Sequence, residues 1–276
     1  MNEFLSFDKK KPLLKDIIIS IQAYFQAHRF IREQKLWKWI IVPGILYAAL
    51  FLISFVYFSQ TSTAFIEWFI LKTGLRSWVE RLNNGSLSFL LAMGTLLVWL
   101  ISLLFYFSLF KYLFLIVGSP IFSYLSEKTE SIMEGREYPF SFPQLLHDMK
   151  RGISLALRNS FWQSIYVLTI LVVSFIPIVG WLTPFMALLI ECYYYGFAML
   201  DYSMERMKMS VPTSINYIGN HKGLAIGNGM VFYLLHLVPI VGWILAPSYA
   251  VVAATISIQP LKKAEQRISN STTQGI

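Results

Sequence analysis

The chain has 276 residues, of which 56% are hydrophobic and only 14% are charged, and its mean hydropathy is +0.56. This balance is too apolar for a water-soluble domain of this length and predicts an integral membrane protein. The single cysteine, Cys192, excludes an intramolecular disulfide and a cysteine-based metal cluster. In a membrane protein the net charge of +8 indicates topology-setting basic residues, so no nucleic-acid partner is expected.

The N-terminal segment is polar and basic, with Lys9, Lys10, Lys11 and Lys15 before any long apolar run, so no cleaved signal peptide is expected. Residues 11–33 place an apolar stripe opposite charged positions, which predicts an interfacial helix that lies on the membrane. The stripe consists of Leu14, Ile17, Ile18, Ile21, Tyr24 and Phe25.

Four apolar blocks approach or exceed the roughly 20 residues that cross about 30 Å of hydrocarbon. Two of them are predicted to be long transmembrane helices, span 1 over 36–58 and span 2 over 86–117. Between them, residues 61–83 carry apolar side chains at helical spacing beside charges, which predicts an amphipathic extracytoplasmic helix. A cytoplasmic segment, 118–159, follows span 2.

The other two blocks, 160–200 and 224–258, each contain the pentapeptide Pro-Ile-Val-Gly-Trp. Proline removes a backbone donor and glycine permits a chain reversal, so both blocks are predicted to be helical hairpins. Their apex residues are Pro177, Gly180, Pro239 and Gly242. The legs reach only about 22 to 30 Å at 1.5 Å per residue, and the apexes are uncharged, which favours partial penetration of the membrane. The alternative is that both hairpins cross fully, giving six spans.

The basic residues give the orientation. Most of the 23 Lys and Arg residues lie before span 1, in 118–159, in the loop 201–223 and in the tail 259–276. These segments are therefore expected in the cytoplasm, with both termini, in a multi-pass arrangement of one membrane domain, 1–276.

Several segments together resemble the CysZ-type sulfate permeases, which are grouped with the etoposide-induced membrane proteins of eukaryotes. Span 2 leads into Gly-Ser-Pro-Ile-Phe-Ser-Tyr-Leu-Ser-Glu-Lys-Thr-Glu at 118–130, similar to the family's Ala-Pro-Phe-x-x-Leu-Leu-Ala-Glu-x-x-Glu. The first apex, 175–180, resembles Phe-Ile-Pro-Gly-Ile-Gly, and residues 200–205 resemble the family's Asp-Tyr-Pro element. The second apex and Ala-Ala-Thr at 253–255 resemble the family's closing motifs.

The resemblance implies an α-helical protein of a bacterial inner membrane, with two spans and two hemi-penetrating hairpins. It further implies a homo-oligomer that carries sulfate into the cytoplasm for cysteine synthesis, with no cofactor. The family's sulfate site is a Gly-Leu-Arg-Arg sequence at the start of span 1, and the aligned residues here are Lys35, Leu36, Trp37 and Lys38. Lys35 and Lys38 lie three residues apart on one helix face. Beside Trp37 and Trp39 they could equally be interfacial anchors.

Glu191 lies within the second leg of the first hairpin, where an ionisable side chain is costly and is by default a candidate functional residue. Its expected partners are Tyr193 to Tyr195 or His236. A Glu191–His236 contact would either couple protonation to transport or hold the hairpins together. The remaining histidines, His28, His147 and His221, lie in polar segments without metal-ligand spacing and are expected to be solvated.

The sequence contains no nucleophile elbow, phosphate loop or metal-binding spacing, so no enzymatic activity and no metal are expected. Two functions remain. One is a membrane permease for sulfate or a similar oxyanion. The other is a non-transporting scaffold of the same fold that binds membrane lipid or a protein partner through its basic face.

Overall fold

A computed structural model describes residues 13–74, 77, 85–135, 142–174, 176, 179–207 and 209–273. These residues form eight α-helices and no β-strand, which confirms the predicted all-α membrane fold. The helices, in chain order, are α1 (Leu13–Glu33), α2 (Trp37–Lys72), α3 (Gly85–Glu134), α4 (Phe142–Val173), α5 (Thr183–Arg206), α6 (Val211–Asn220), α7 (Lys222–His236) and α8 (Val241–Thr273).

Two helices in the described part of the chain are long and apolar enough to cross a membrane: α2, and residues 241–260 within α8. They differ in burial. The apolar side chains of α2 are largely exposed, whereas the window in α8 is mostly buried inside the protein. By length and composition both could span a bilayer, but α8 is also a central packing element.

Two predicted breaks between helices are absent. Helix α2 continues from span 1 through residue 60, because Ser59 to Thr63 are polar but contain no helix breaker, and the Thr61 hydroxyl donates to the carbonyl of Tyr57. It ends at Lys72, before Gly74 with φ +65°. Residues 75, 76 and 78–84 of the predicted amphipathic helix lie outside the described residues. Helix α3 likewise continues past Pro120 to Glu134, into the predicted cytoplasmic segment.

The chain divides into two compact units. The smaller, residues 48–113, contains most of α2 and the first half of α3. Its core is aromatic: the rings of Phe51 and Phe110 lie 5.2 Å apart, and those of Phe58 and Tyr106 lie 4.6 Å apart. The Tyr106 hydroxyl hydrogen bonds with Ser54 (2.7 Å). These contacts join the two helices of this unit.

The larger unit, residues 1–47 and 114–276, is organised around α7. Glycines let the backbones of neighbouring helices approach closely. A Cβ on Gly229 would lie 2.0 Å from the carbonyl oxygen of Cys192 in α5, and one on Gly196 in α5 would lie 1.9 Å from that of Ala225. On the other side of α7, a Cβ on Gly223 would lie 2.4 Å from the carbonyl oxygen of Leu13 in α1. Small residues at helix contacts are typical of membrane proteins.

Helix α1 buries one side and exposes the other. Leu14, Ile18 and Phe25 of the apolar stripe are exposed, and the buried residues are Asp16, Ser20, Ala23, Tyr24, Ala27 and Ile31. The Ser20 hydroxyl donates to the carbonyl of Leu224 (2.8 Å), and the Tyr24 hydroxyl donates to that of Asn228 (2.9 Å). Small and polar side chains thus hold α1 against α7, and large apolar ones face outward.

The described residues of the two pentapeptides share one equivalent hydrogen bond. In the first, the N–H of Gly180 donates to the carbonyl of Ile176 (2.9 Å). In the second, the N–H of Gly242 donates to the carbonyl of Val238 (2.9 Å). Pro177 lies outside the described residues. Pro239 lies between α7 and α8, followed by Ile240 at φ +63°, an unusual conformation for a β-branched residue.

Both apex glycines lie against a carbonyl of the preceding leg. A Cβ would lie 2.4 Å from the Ser174 oxygen at Gly180 and 1.9 Å from the Leu235 oxygen at Gly242. A side chain at either position would open the turn. Partial penetration of the bilayer by the hairpins stays a prediction.

We predict that Gly229→Ala destabilises the protein by about 1 to 3 kcal/mol, because the added methyl group overlaps the backbone of α5. Thermal unfolding of the detergent-solubilised protein measures the effect. Gly219→Ala is the matched control, since a Cβ there meets no atom within 4 Å. Equal melting temperatures for the two variants would contradict the close approach of α5 and α7.

Candidate functional site

The corner between α1 and α2 holds the residues aligned with the family's sulfate motif. Helix α1 ends in a left-handed turn: Lys35 has φ +53°, and the N–H of Leu36 donates to the carbonyl of Ile31 (3.0 Å). The Leu36 side chain is only 3% exposed and anchors the turn. Helix α2 then begins at Trp37. The N–H of Trp39 donates to the carbonyl of Leu36 (2.9 Å), and the N–H groups of Trp37 and Lys38 come before any carbonyl that the helix itself could offer them.

The side chains at this corner combine exposed cations with ordered aromatic rings. Lys35 and Lys38 are exposed, as is Arg32 one turn earlier. Trp37 contacts the ring of His28 edge-on, with centroids 6.4 Å apart, and His28 Nδ1 hydrogen bonds with the Tyr249 hydroxyl (2.9 Å). His28 therefore has a partner inside the protein despite its exposure.

Lys38 lies over the adjacent ring of Trp39, 5.7 Å from its centroid, and Trp39 packs 4.6 Å from Tyr124. The corner thus offers positive charge and backbone N–H groups at a helix N-terminus, the elements of an anion site. The same exposed lysines and tryptophans also suit an interfacial anchor.

A second polar group lies within the hairpins. Glu191 of α5 is half-buried and accepts hydrogen bonds from the fully buried Gln163 of α4 and from Tyr233 of α7, whose hydroxyl lies 3.0 Å away. The carboxylate thus joins three helices, two from the first hairpin and one from the second. We call Gln163, Glu191 and Tyr233 the hairpin cluster.

The two hydrogen bonds described for Glu191 come from residues other than the expected Tyr193 to Tyr195 and His236. Its hydrogen bonds go to Gln163 and Tyr233, while His236, one turn after Tyr233, has Nε2 at 3.4 Å from the Tyr47 hydroxyl. The His236 ring also stacks on Phe232, with centroids 5.2 Å apart. Glu191 of α5 and His236 of α7 are therefore linked through Tyr233, which donates to Glu191 and lies one turn before His236 on α7. The hydrogen bonds described for Glu191 and His236 go to different partners.

Sequence reasoning missed the donors to Glu191. Gln163 interrupts the apolar run of the first leg as Glu191 interrupts that of the second, so the same criterion of an isolated polar residue would have found it. Tyr233 gave no such signal, because tyrosines are frequent throughout this chain and only the packing of α7 on α5 brings this one to the carboxylate.

A buried ion pair between Arg151 and Asp201 was also missed. Arg151 of α4 pairs with Asp201 of α5 through two hydrogen bonds (3.1 and 2.8 Å) and donates further to Ser214 and to the carbonyl of Met209. Both side chains are only 8% exposed. Because the Arg151 guanidinium donates to all these acceptors, the ion pair has a structural role: it joins α4, α5 and α6.

The expectation that His221 is solvated is wrong. His221 is buried between α6 and α7, and its Nδ1 lies 3.3 Å from Oδ2 of Asp16, which is itself buried. Gly223 allows α1 to approach closely enough for this contact, since a Cβ there would meet Cβ of Asp16 at 2.6 Å. The third histidine of that group, His147, is exposed as expected.

Comparisons with known proteins agree with this architecture. Residues 23–247 match the model of the family described as sulfate transporter CysZ/etoposide-induced protein 2.4. A protein of Pseudomonas aeruginosa (strain LESB58) named sulfate transporter CysZ is 28% identical over 143 residues, 51% of this chain. The match spans 58% of that relative's length. A protein of the same name from Pseudomonas fluorescens (strain Pf0-1) is 25% identical over 185 residues, 65% of this chain and 73% of its own length.

We predict that Lys35→Gly raises the stability by about 1 kcal/mol, because glycine adopts φ +53° without the steric cost that lysine has there. Lys38→Gly is the matched control: it also removes one lysine, but inside the first turn of α2, where glycine costs up to about 1 kcal/mol. Thermal unfolding should shift in opposite directions. A lower melting temperature for Lys35→Gly would contradict the left-handed turn.

Proposed function

We propose that this chain, which belongs to the sulfate transporter CysZ/etoposide-induced protein 2.4 family, is a membrane permease that carries sulfate or a similar oxyanion. The observation that carries the proposal is the α1–α2 corner. There, exposed Lys35 and Lys38 stand at the N-terminus of α2 in the positions aligned with the family's sulfate motif. The relatives named sulfate transporter CysZ support the substrate class.

Anion capture at the corner follows from elementary electrostatics. The first N–H groups of α2 point outward from the helix and carry about half a positive charge between them. Two ammonium groups beside them add attraction that a dianion would feel strongly. Lysine binds an oxyanion as a point charge, without the planar fork of donors that arginine has. We therefore propose that the site binds the oxyanion weakly and releases it readily.

The structure of the turn supports an anion site more than a purely structural corner. The backbone that presents the N–H groups is held by the buried Leu36 and by the hydrogen bond from its N–H to Ile31. Trp37 is held against His28, which is itself fixed by Tyr249. A backbone held in this way, with exposed cations beside it, suits capture of a small anion from solution.

The hairpin cluster is proposed to respond to protons during transport. Glu191 is an ionisable group in the apolar part of the chain, and its two donors come from the neighbouring helices α4 and α7. Protonation would remove an acceptor position and weaken one of these contacts. Because Tyr233 and Gln163 belong to different hairpins, such a change would alter how the hairpins hold each other.

We further propose a bacterial inner-membrane location with both termini and the corner on the cytoplasmic side, a homo-oligomeric assembly, and a role in supplying sulfate for cysteine synthesis. The distribution of basic residues supports the orientation. The alternative function is a non-transporting scaffold whose basic corner binds lipid or a protein partner. The exposed Lys38 beside the ring of Trp39 favours it, since this pairing is typical of interfacial anchors.

A flux measurement separates the two functions. We predict that proteoliposomes with the protein take up radiolabelled sulfate and that Lys35→Ala/Lys38→Ala lowers the initial rate about tenfold at low sulfate concentration. Lys150→Ala/Lys222→Ala is the charge-matched control, because both lysines are exposed and lie away from the corner in sequence. No uptake above that of empty vesicles would remove the permease proposal. Equal loss in both double variants would remove the site.

A second measurement tests the hairpin cluster. We predict that Glu191→Gln flattens the pH dependence of sulfate uptake, because an amide accepts a hydrogen bond but does not titrate in this range. Tyr233→Phe is the companion variant: it removes one donor but leaves the carboxyl, so it should shift the pH profile without flattening it. A Glu191→Gln profile identical to that of the unmodified protein, at normal thermal stability, would make the cluster structural.

A further inference from the structure

A cavity of about 370 Å³ opens beside the second half of α1, where that helix meets the end of α3 and the middle of α8. Its apolar walls are Phe25 and Phe30 of α1, Met133 of α3 and Ile256 of α8. Phe25 is 75% exposed and Ile256 is only 6% exposed, so the cavity runs from the protein surface to a buried floor.

The polar lining comes entirely from α1. It consists of Gln26, Arg29 and Glu33, spaced three and four residues apart along one helix face. Among the residues that the structure describes, the side chains of Arg29 and Glu33 have no ion-pair or hydrogen-bond partner. The cavity lining therefore contains one cation and one anion, one helical turn apart on α1.

We propose that this cavity binds a phospholipid whose headgroup carries a phosphate and a primary ammonium, that is, a phosphatidylethanolamine. Arg29 takes the phosphate through its planar fork of donors, and Glu33 accepts hydrogen bonds from the ammonium. The charges of the headgroup thus match the charges of the lining, each with the opposite sign.

The apolar walls decide for a lipid over a soluble phosphate compound. Phe25, Phe30 and Met133 offer contact to an acyl chain beside the polar lining. Phe25 also continues the exposed apolar face of α1 that contains Leu14 and Ile18, a face suited to the boundary between headgroups and acyl chains. A lipid can reach the cavity by lateral movement in the membrane.

The acceptors decide for ethanolamine over other headgroups. An ammonium with N–H groups can donate to the Glu33 carboxylate, one turn after Arg29, whereas a choline group has no N–H to donate. A phosphatidylglycerol supplies the phosphate but leaves the Glu33 charge facing an anionic lipid without compensation. Arg29 therefore attracts the phosphate of any phospholipid, and Glu33 favours a headgroup that carries an ammonium with N–H groups.

Native mass spectrometry of the protein released from nanodiscs tests the proposal. The discs contain equal amounts of phosphatidylethanolamine, phosphatidylglycerol and phosphatidylcholine of the same acyl chains. We expect the retained lipid to be enriched about tenfold in phosphatidylethanolamine. Glu33→Gln should abolish this enrichment and raise the share of phosphatidylglycerol, and Arg29→Gln should reduce retention of all three lipids. Lys150→Gln, which removes an exposed cation of α4 outside the cavity lining, should leave the pattern unchanged.

Three results would overturn the proposal: retained lipid with the same composition as the disc, enrichment of phosphatidylglycerol in the unmodified protein, or an enrichment that both cavity variants keep. Free phosphoethanolamine is the remaining arm. If millimolar amounts displace the retained lipid, the headgroup alone occupies the site and the lipid assignment is wrong. None of these readouts depends on sulfate uptake, so they are independent of the permease proposal.

Discussion

The close contact of α7 with α1 and α5 is the constraint on which the larger unit depends. At Gly229, Gly196 and Gly223 the backbones approach to distances that no Cβ would tolerate. In a bilayer, helices gain nothing by burying apolar surface that lipid already solvates, so packing and interhelical hydrogen bonds must hold them together. The glycines supply this contact. It also places Tyr233 beside Glu191 and lets Ser20 and Tyr24 reach backbone carbonyls of α7.

The lipid bilayer also explains which side chains face outward and which lie inside the protein. Large apolar side chains such as Leu14, Ile18 and Phe25 face outward on α1, while Asp16 and the hydroxyl-bearing Ser20 and Tyr24 lie inside. Ser126, Ser203 and Thr255 form a buried triangle of hydroxyls, 3.1 to 3.4 Å apart, that joins α3, α5 and α8. The buried Asp201 carboxylate contributes to the fold because the Arg151 guanidinium satisfies it.

The α1–α2 corner shows how one backbone conformation relates a structural need to a functional one. Lys35 occupies a left-handed position that glycine would fill with less strain. The lysine adds a positive charge beside the N-terminus of α2 at a cost in backbone energy of about 1 to 3 kcal/mol. A strained lysine beside a helix N-terminus has a physical reason if its charge binds an anion. This supports the proposed anion site.

The sequence by itself determined the membrane environment, the helical class and the two hairpin connections. These depend on local properties: the length of the apolar runs, the uncharged apexes and the repeated Pro-Ile-Val-Gly-Trp. It also identified Glu191 as a costly polar residue. Only the tertiary structure decided which side of α1 is buried and which residues reach Glu191. It alone revealed that Asp16 meets His221. In a membrane both the apolar and the small-residue face of a helix can be stabilised, so periodicity does not say which face packs. Contacts between residues some 200 positions apart depend on glycine-mediated approach, which no local pattern encodes.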